Sequence, residues 1–179
     1  MKAFSVFFAA FSLLLLLLYG AGFRCNPTPS LPKGIYRIAP GAPERGDLVA
    51  FCLESAVWTP EARERGYLES GSCPSGLRPL LKRLAGLPGD AVDVTPDGMK
   101  IVPVTGPGRF WPAPARDRDS MGRPLPAGSL RSGGIPAGMA LVLAEHPGSF
   151  DSRFFGLVPL ARMARVEPVF TFTQGEHHE

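Results

Sequence analysis

The longest apolar run in the chain comes first. From Ala3 to Phe23 there is no charged residue, and Leu13 to Leu18 is unbroken leucine. About 20 helical residues cross the ~30 Å hydrocarbon core of a bilayer. Each central leucine favours insertion by about 0.5 kcal/mol. The pattern predicts a helical membrane anchor over residues 1–23, with residues 24–179 as one exported domain. Lys2 and Arg24 flank the run and give only a weak charge bias, and an N-terminus this short is most simply left in the cytoplasm. A cleaved secretory signal is the competing reading, since Gly20-Ala21-Gly22 is small-x-small, but the run exceeds the roughly 7–15 residues of a signal-peptide core. Both readings send the remainder out of the cytoplasm. Arg24 before Cys25 does not support a lipoprotein modification site.

Beyond the anchor the apolar positions come in short runs cut by turn residues, the pattern of a mostly β domain. The entry from Asn26 to Gly34 holds Pro27, Pro29 and Pro32, which forbid a regular helix. Strands are expected over Ile35–Ile38 and Asp47–Leu53. Thr59-Pro60-Glu61 reads as a helix start with Thr59 as N-cap, stopped at Gly66. Leu80 to Leu87 is apolar except for Lys82 and Arg83. Ala91–Thr95 and Met99–Val104 read as a hairpin across Pro96-Asp97-Gly98. Residues 105–138 read as a long loop or lid whose arginines form a solvated face, Met139–Ala144 as an apolar strand, residues 145–156 as a polar loop, and Val166–Phe172 as a last strand.

Composition narrows the function classes. Gly 21 and Pro 20 in 179 residues are roughly twice the usual combined share of ~12%, while 45% hydrophobic residues exclude a disordered chain. A net charge of +3 makes nucleic acid an unsuitable main partner. The three histidines, two of them adjacent in the tail, lack metal-site spacing, so neither a zinc site nor any other cofactor is expected. Cys52 and Cys73 bracket the segment 54–78. In an oxidising compartment they are expected to pair and pin it, for about 3 kcal/mol of loop-closure benefit, leaving Cys25 over.

Four segments carry candidate chemistry: Thr28-Pro-Ser-Leu-Pro32, Arg45-Gly-Asp-Leu-Val-Ala-Phe51, the run KRLAGLPGD from Lys82 to Asp90, and the run SFDSRFFG from Ser149 to Gly156. Singly each has an ordinary structural reading, as a turn, a strand start, a surface lysine or a local ion pair. As an ordered set they resemble the type I signal (leader) peptidases, membrane-anchored proteases with a serine–lysine dyad, from the anchor to about residue 160. Within that family the Asn-x-Thr-x-Ser-Leu-Pro-x-Gly opening and the cysteine-bracketed excursion look most like the conjugative-transfer peptidases that mature a pilin subunit.

The resemblance implies a small signal-peptidase-like β domain on a single transmembrane helix. It implies Ser30 as nucleophile and Lys82 as general base, with the Ser30 N–H and the Thr28 hydroxyl as oxyanion donors. Ser149 is implied to orient the lysine, and the Asp151–Arg153 pair to brace the site. The implied setting is the bacterial inner membrane with the catalytic domain in the periplasm. The implied partners are the lipid bilayer and a membrane-bound, pilin-like precursor with small residues before the scissile bond. Alternatives are a general signal peptidase and a non-catalytic, membrane-tethered pilus-assembly scaffold. Leu31 stands where housekeeping members usually carry Met, and Ala144-Glu145-His146 where they carry Gly-Asp-Asn. The chain also leaves no room for the extra β domain of larger relatives. These departures favour a specialised substrate.

The chemistry agrees with those roles. A lysine with an unperturbed pKa near 10.4 is neutral in only about one molecule in 2,500 at pH 7, so a lysine base requires desolvation. Leu80, Leu81, Leu84 and Leu87 around Lys82 can provide it. Ser30-x-x-Lys33 also fits the nucleophile motif of β-lactamases, but that motif needs a helical turn, which Pro32 and Gly34 oppose, and its partner motifs are absent.

Overall fold

A computed structural model describes residues 2–112, 116–146 and 148–172. The apolar N-terminal run forms helix α1, Lys2–Gly20, with its large side chains exposed from Phe4 to Tyr19. The expected anchor extended to Phe23, but Phe23 opens strand β1, Phe23–Asn26, because Gly20 and the positive-φ Gly22 end the helix. Among the described residues no helix is long and apolar enough to cross a membrane.

The domain is mostly β. Strands β2 (Gly34–Ile38) and β3 (Leu48–Phe51) are followed by a short helix α2 (Trp58–Glu64). Next come β4 (Leu80–Gly86), β5 (Ala91–Thr95), β6 (Gly98–Val102), β7 (Arg109–Trp111), β8 (Gly133–Gly134) and β9 (Met139–Leu143). The chain closes with the one-turn helix α3 (Ser152–Phe155), β10 (Val158–Pro159) and β11 (Ala164–Thr171). Seven strands form an antiparallel sheet in the order β1-β2-β11-β3-β4-β9-β10, and four form a smaller one in the order β7-β6-β5-β8.

Strand β9 joins the two cores. Its run MALVL has no polar alternation because both faces are covered. Ala140 and Val142 pack with Val49, Phe51, Trp58 and Phe154, while Leu141 and Leu143 pack with Val92, Met99, Ile101 and Trp111. Where β4 meets β9 the register shifts between Leu84 and Gly86, and a Cβ at Gly86 would crowd Ile135 Cδ1 at 2.6 Å and Leu141 Cβ at 3.1 Å, so glycine gives the two strands their closest fit. Asp90, 1% exposed, ties the second sheet to the first: it pairs with Arg45 at 2.6 Å and accepts the N–H groups of Leu87 and Val104.

Several expectations are corrected. The segment 105–138 is not a solvated lid: it supplies β7 and β8 and buries Trp111, Leu130 and Ile135 in the second core. Its arginines are exposed as expected at Arg109, Arg116, Arg118 and Arg131, with Arg109 lying over the Trp111 ring, while Arg123 is part-buried and pairs with Asp119. A second, four-stranded sheet exists after all, built from that segment and the expected hairpin. Residues 145–156 are not a polar loop, for Ser152 to Phe155 form a buried helical turn on the first core. Helix α2 starts at Trp58 rather than after Thr59, because Ser55 Oγ accepts the Trp58 N–H while Thr59 Oγ1 accepts the Ser55 N–H. The tail histidines His177 and His178, and residues 113–115, lie outside the described residues.

Candidate active site

Three segments distant in sequence meet at one place. Strand β4 is the first. Its residues alternate between the core and the other face, and the pairing Lys82↔Val49 puts Lys82 on the core side between Leu80 and Leu84. Because the side-chain period of a strand is two, a one-residue slip would bury Arg83 instead. Leu81 therefore faces away, packing with Tyr36 and Ala50, while Leu87 lies against the first core. Lys82 is 3% exposed. Burial pushes its ammonium down from 10.5 to about 8, and repulsion from Arg153 adds to this while attraction to Asp151 partly offsets it.

The second segment is the turn from His146 to α3. Asp151 caps α3, accepting the Arg153 N–H, and its carboxylate grips the Arg153 guanidinium through Nε at 2.8 Å and Nη2 at 2.7 Å. The same carboxylate accepts the Ala144 N–H, and Arg153 Nη2 donates to the carbonyls of Ser149 and His146. This fully buried pair thereby fixes the backbone at Ser149 against the end of β9. Ser149, 2% exposed, accepts a hydrogen bond from Lys82 Nζ at 2.8 Å.

The third segment is the proline-rich loop after β1. It carries Ser30, half-buried, whose Oγ accepts a hydrogen bond from Ser149 Oγ at 3.3 Å. The three polar groups thus form a file, Lys82–Ser149–Ser30, with Ser149 between the other two. The Ser30 N–H has no backbone partner among the described residues. Thr28 lies beside it and is exposed, but its hydroxyl donates to Asn26 Oδ1 at 2.8 Å. The segment holding Ser30 and Lys33 is not helical.

The file opens into a cavity of about 330 Å³. Tyr67 and Leu68 from the excursion 54–78 line it, with the Tyr67 ring against Phe150 at 5.4 Å between centroids, and His146 also lines it. A disulfide joins Cys52, just before that excursion, to Cys73 within it, leaving Cys25 free and exposed. At the excursion's tip Tyr67 donates to Asp119, which also pairs with Arg123. Ser30, Lys82, Thr28, Ser149, Asp151 and Arg153 are therefore brought together, with Thr28 turned toward Asn26. Sequence reasoning missed Asn26, His146 and the Tyr67–Phe150 wall. Only Asn26 left a signal, its fixed spacing before Thr28 and Ser30.

This site lies within a matching family model. A signal peptidase model, peptidase S26, matches residues 2–168, and the chain belongs to that family. Among its relatives, the "Conjugal transfer protein TraF" of Agrobacterium tumefaciens (strain 15955) is 41% identical over 159 residues, 84% of each chain. The "Plasmid transfer protein TraF" of Escherichia coli is 33% identical over 157 residues, covering 86% of this chain and 85% of that one. A crystal structure of a signal peptidase I from Enterococcus faecalis V583 matches at 26% identity and a TM-score of 0.36, covering 74% of this chain and all of that one.

Proposed function

We propose that the protein is a serine endopeptidase with a Ser30/Lys82 dyad that removes the leader segment of an exported precursor. The observation that carries this reading is the Lys82–Ser149–Ser30 file, with a lysine buried enough to act as a base. At pH 7 a lysine with a pKa of about 8 is neutral in about one molecule in ten. When Lys82 is neutral its lone pair accepts, so the two contacts run in the opposite sense. The Ser30 proton then passes to Ser149 Oγ as the Ser149 proton passes to Lys82 Nζ, while Ser30 Oγ attacks the scissile carbonyl carbon. The oxyanion that forms is met by the Ser30 N–H and by the Thr28 hydroxyl once it turns from Asn26. Lys82 then gives the proton to the leaving amine, and a water activated by the same lysine hydrolyses the acyl-enzyme.

The precursor we propose is a pilin-like protein with small residues before the cleavage site. Similarity to proteins named for conjugal and plasmid transfer supports that choice, as do Leu31 and Ala144-Glu145-His146 at positions where general leader peptidases differ. We further propose that α1 holds the domain at the outer face of the bacterial inner membrane. Its large apolar side chains are exposed from Phe4 to Tyr19, an apolar surface of the kind that marks membrane contact. Ser30 follows Gly20 by only ten residues, which keeps the site near the bilayer surface, where a membrane-bound precursor presents its own cleavage point.

Co-expression of a pilin precursor with the wild-type chain or with Ser30→Ala tests the reading. Cleavage by the wild type alone is expected. Equal processing with both would support the scaffold alternative. Resistance of the full chain to alkaline extraction from membranes tests the attachment.

A further inference from the structure

Asn26 does something in the active-site loop that no other side chain there does. It ends β1, is 5% exposed, and directs its whole amide into the loop that carries Ser30. Its Nδ2 donates to the carbonyls of Thr28, Leu31 and Pro32, each at 3.2 Å, so its two protons are shared among acceptors on both sides of Ser30. Its Oδ1 accepts from the Thr28 N–H at 3.3 Å and the Thr28 hydroxyl at 2.8 Å.

The physical need for such a residue is plain in the sequence. Pro27, Pro29 and Pro32 have no N–H, so this loop cannot hold its shape with a backbone ladder, and its buried carbonyls need outside donors. Asn26 provides them from one point, and Tyr36 adds a second anchor by donating its hydroxyl to the Pro32 carbonyl at 2.6 Å. The Tyr36 ring is fully buried, and burial raises its phenol, so it remains a neutral donor through neutral pH.

We propose that Asn26, seconded by Tyr36, is the positioning residue for the nucleophile: it fixes the backbone from Thr28 to Pro32 so that Ser30 Oγ stands within reach of Ser149 and Lys82. By holding Thr28 through both its N–H and its hydroxyl, Asn26 also keeps that hydroxyl one bond rotation from the developing oxyanion. The inference rests on the dyad reading above. Its expected signature is a loss in turnover, because a displaced nucleophile spoils the reacting geometry without removing any surface that binds substrate. A misplacement of about 1 Å costs on the order of 10²-fold.

The test is steady-state cleavage of a precursor peptide by the full chain, with kcat and KM resolved. Asn26→Ala is expected to lower kcat by about 10²-fold with KM within about twofold. The pH midpoint should stay near 8, because Lys82 on β4 is untouched. Combining Asn26→Ala with Thr28→Ala should cost less than the product of the single effects, since both act through one oxyanion donor. Unchanged kcat in Asn26→Ala, or a loss confined to KM, overturns the proposal. Should Asn26→Ala fail to fold, Tyr36→Phe, which deletes one hydroxyl, decides. A severalfold fall in kcat alone supports the proposal, and wild-type kcat overturns it. Wild type and Ser30→Ala measured alongside separate this outcome from failure of the dyad reading, which would show as equal activity in those two.

Discussion

Two buried cations stand near each other in this protein and are treated in opposite ways. Arg153 is 4% exposed and held by both oxygens of the buried Asp151 carboxylate, with backbone carbonyls taking further protons. Lys82 is 3% exposed, and its Nζ meets a neutral hydroxyl, with no carboxylate at ion-pair distance among the described residues. A guanidinium cannot give up its proton in a protein, so Arg153 must be paired, and pairing makes it a brace. An ammonium can lose its proton, so leaving Lys82 without a carboxylate turns the cost of burial into basicity. The difference between brace and base lies in the partner rather than in the depth of burial.

The comparison can be broken most sharply at the reaction itself. Ser30→Ala and Lys82→Arg should each lower precursor cleavage by at least about 10³-fold, since the second keeps the charge but cannot become a neutral base. Arginine activity near that of wild type would end the distinction. Next in size, Arg153→Met leaves Asp151 buried and unpaired and should cost about 3–5 kcal/mol in urea unfolding. Replacing Asp151 by Leu as well should recover much of that loss.

Replacing Cys52 and Cys73 by serine should cost about 3 kcal/mol and loosen the Tyr67 wall, read by the same unfolding experiment and by a raised KM. Lys82→Met should run the other way from Arg153→Met, raising stability at pH 7 by about 1–3 kcal/mol while abolishing activity. Because folding depresses the Lys82 pKa, the wild type regains this stability as pH rises from about 8 to 10.5, and the gap between wild type and Lys82→Met should close over that window. Smallest is the pH profile: kcat/KM should climb about tenfold from pH 7 and level off above pH 8. A profile still rising beyond pH 10 would mean that Lys82 is not a desolvated base.

Much of the architecture could be read from local pattern. The strands at Gly34–Ile38, Leu48–Phe51 and Met139–Leu143, and the hairpin from Ala91, follow apolar runs bounded by turn residues. Reading failed where polar or Gly/Pro-rich sequence was buried by distant partners. The turn Ser152–Phe155 looks solvated until Asp151 and Arg153 satisfy each other, and the stretch after Val104 looks like a lid until Trp111, Leu130 and Ile135 find the far face of β9.

By itself, the amino-acid sequence determined the apolar N-terminal helix, the mostly β character, the family, and the chemical types spaced along four motifs, because each depends on residue identity within a few positions. Only the tertiary structure decided that Lys82 is buried while Arg83 is not, since that follows from the register of β4 on β3. It also decided that Ser149 bridges residues 67 and 119 positions away, and that Asn26 holds the loop around Ser30. Burial and convergence belong to the packed chain: a lysine becomes a base only when other segments remove its water, and no local pattern records which segments those are.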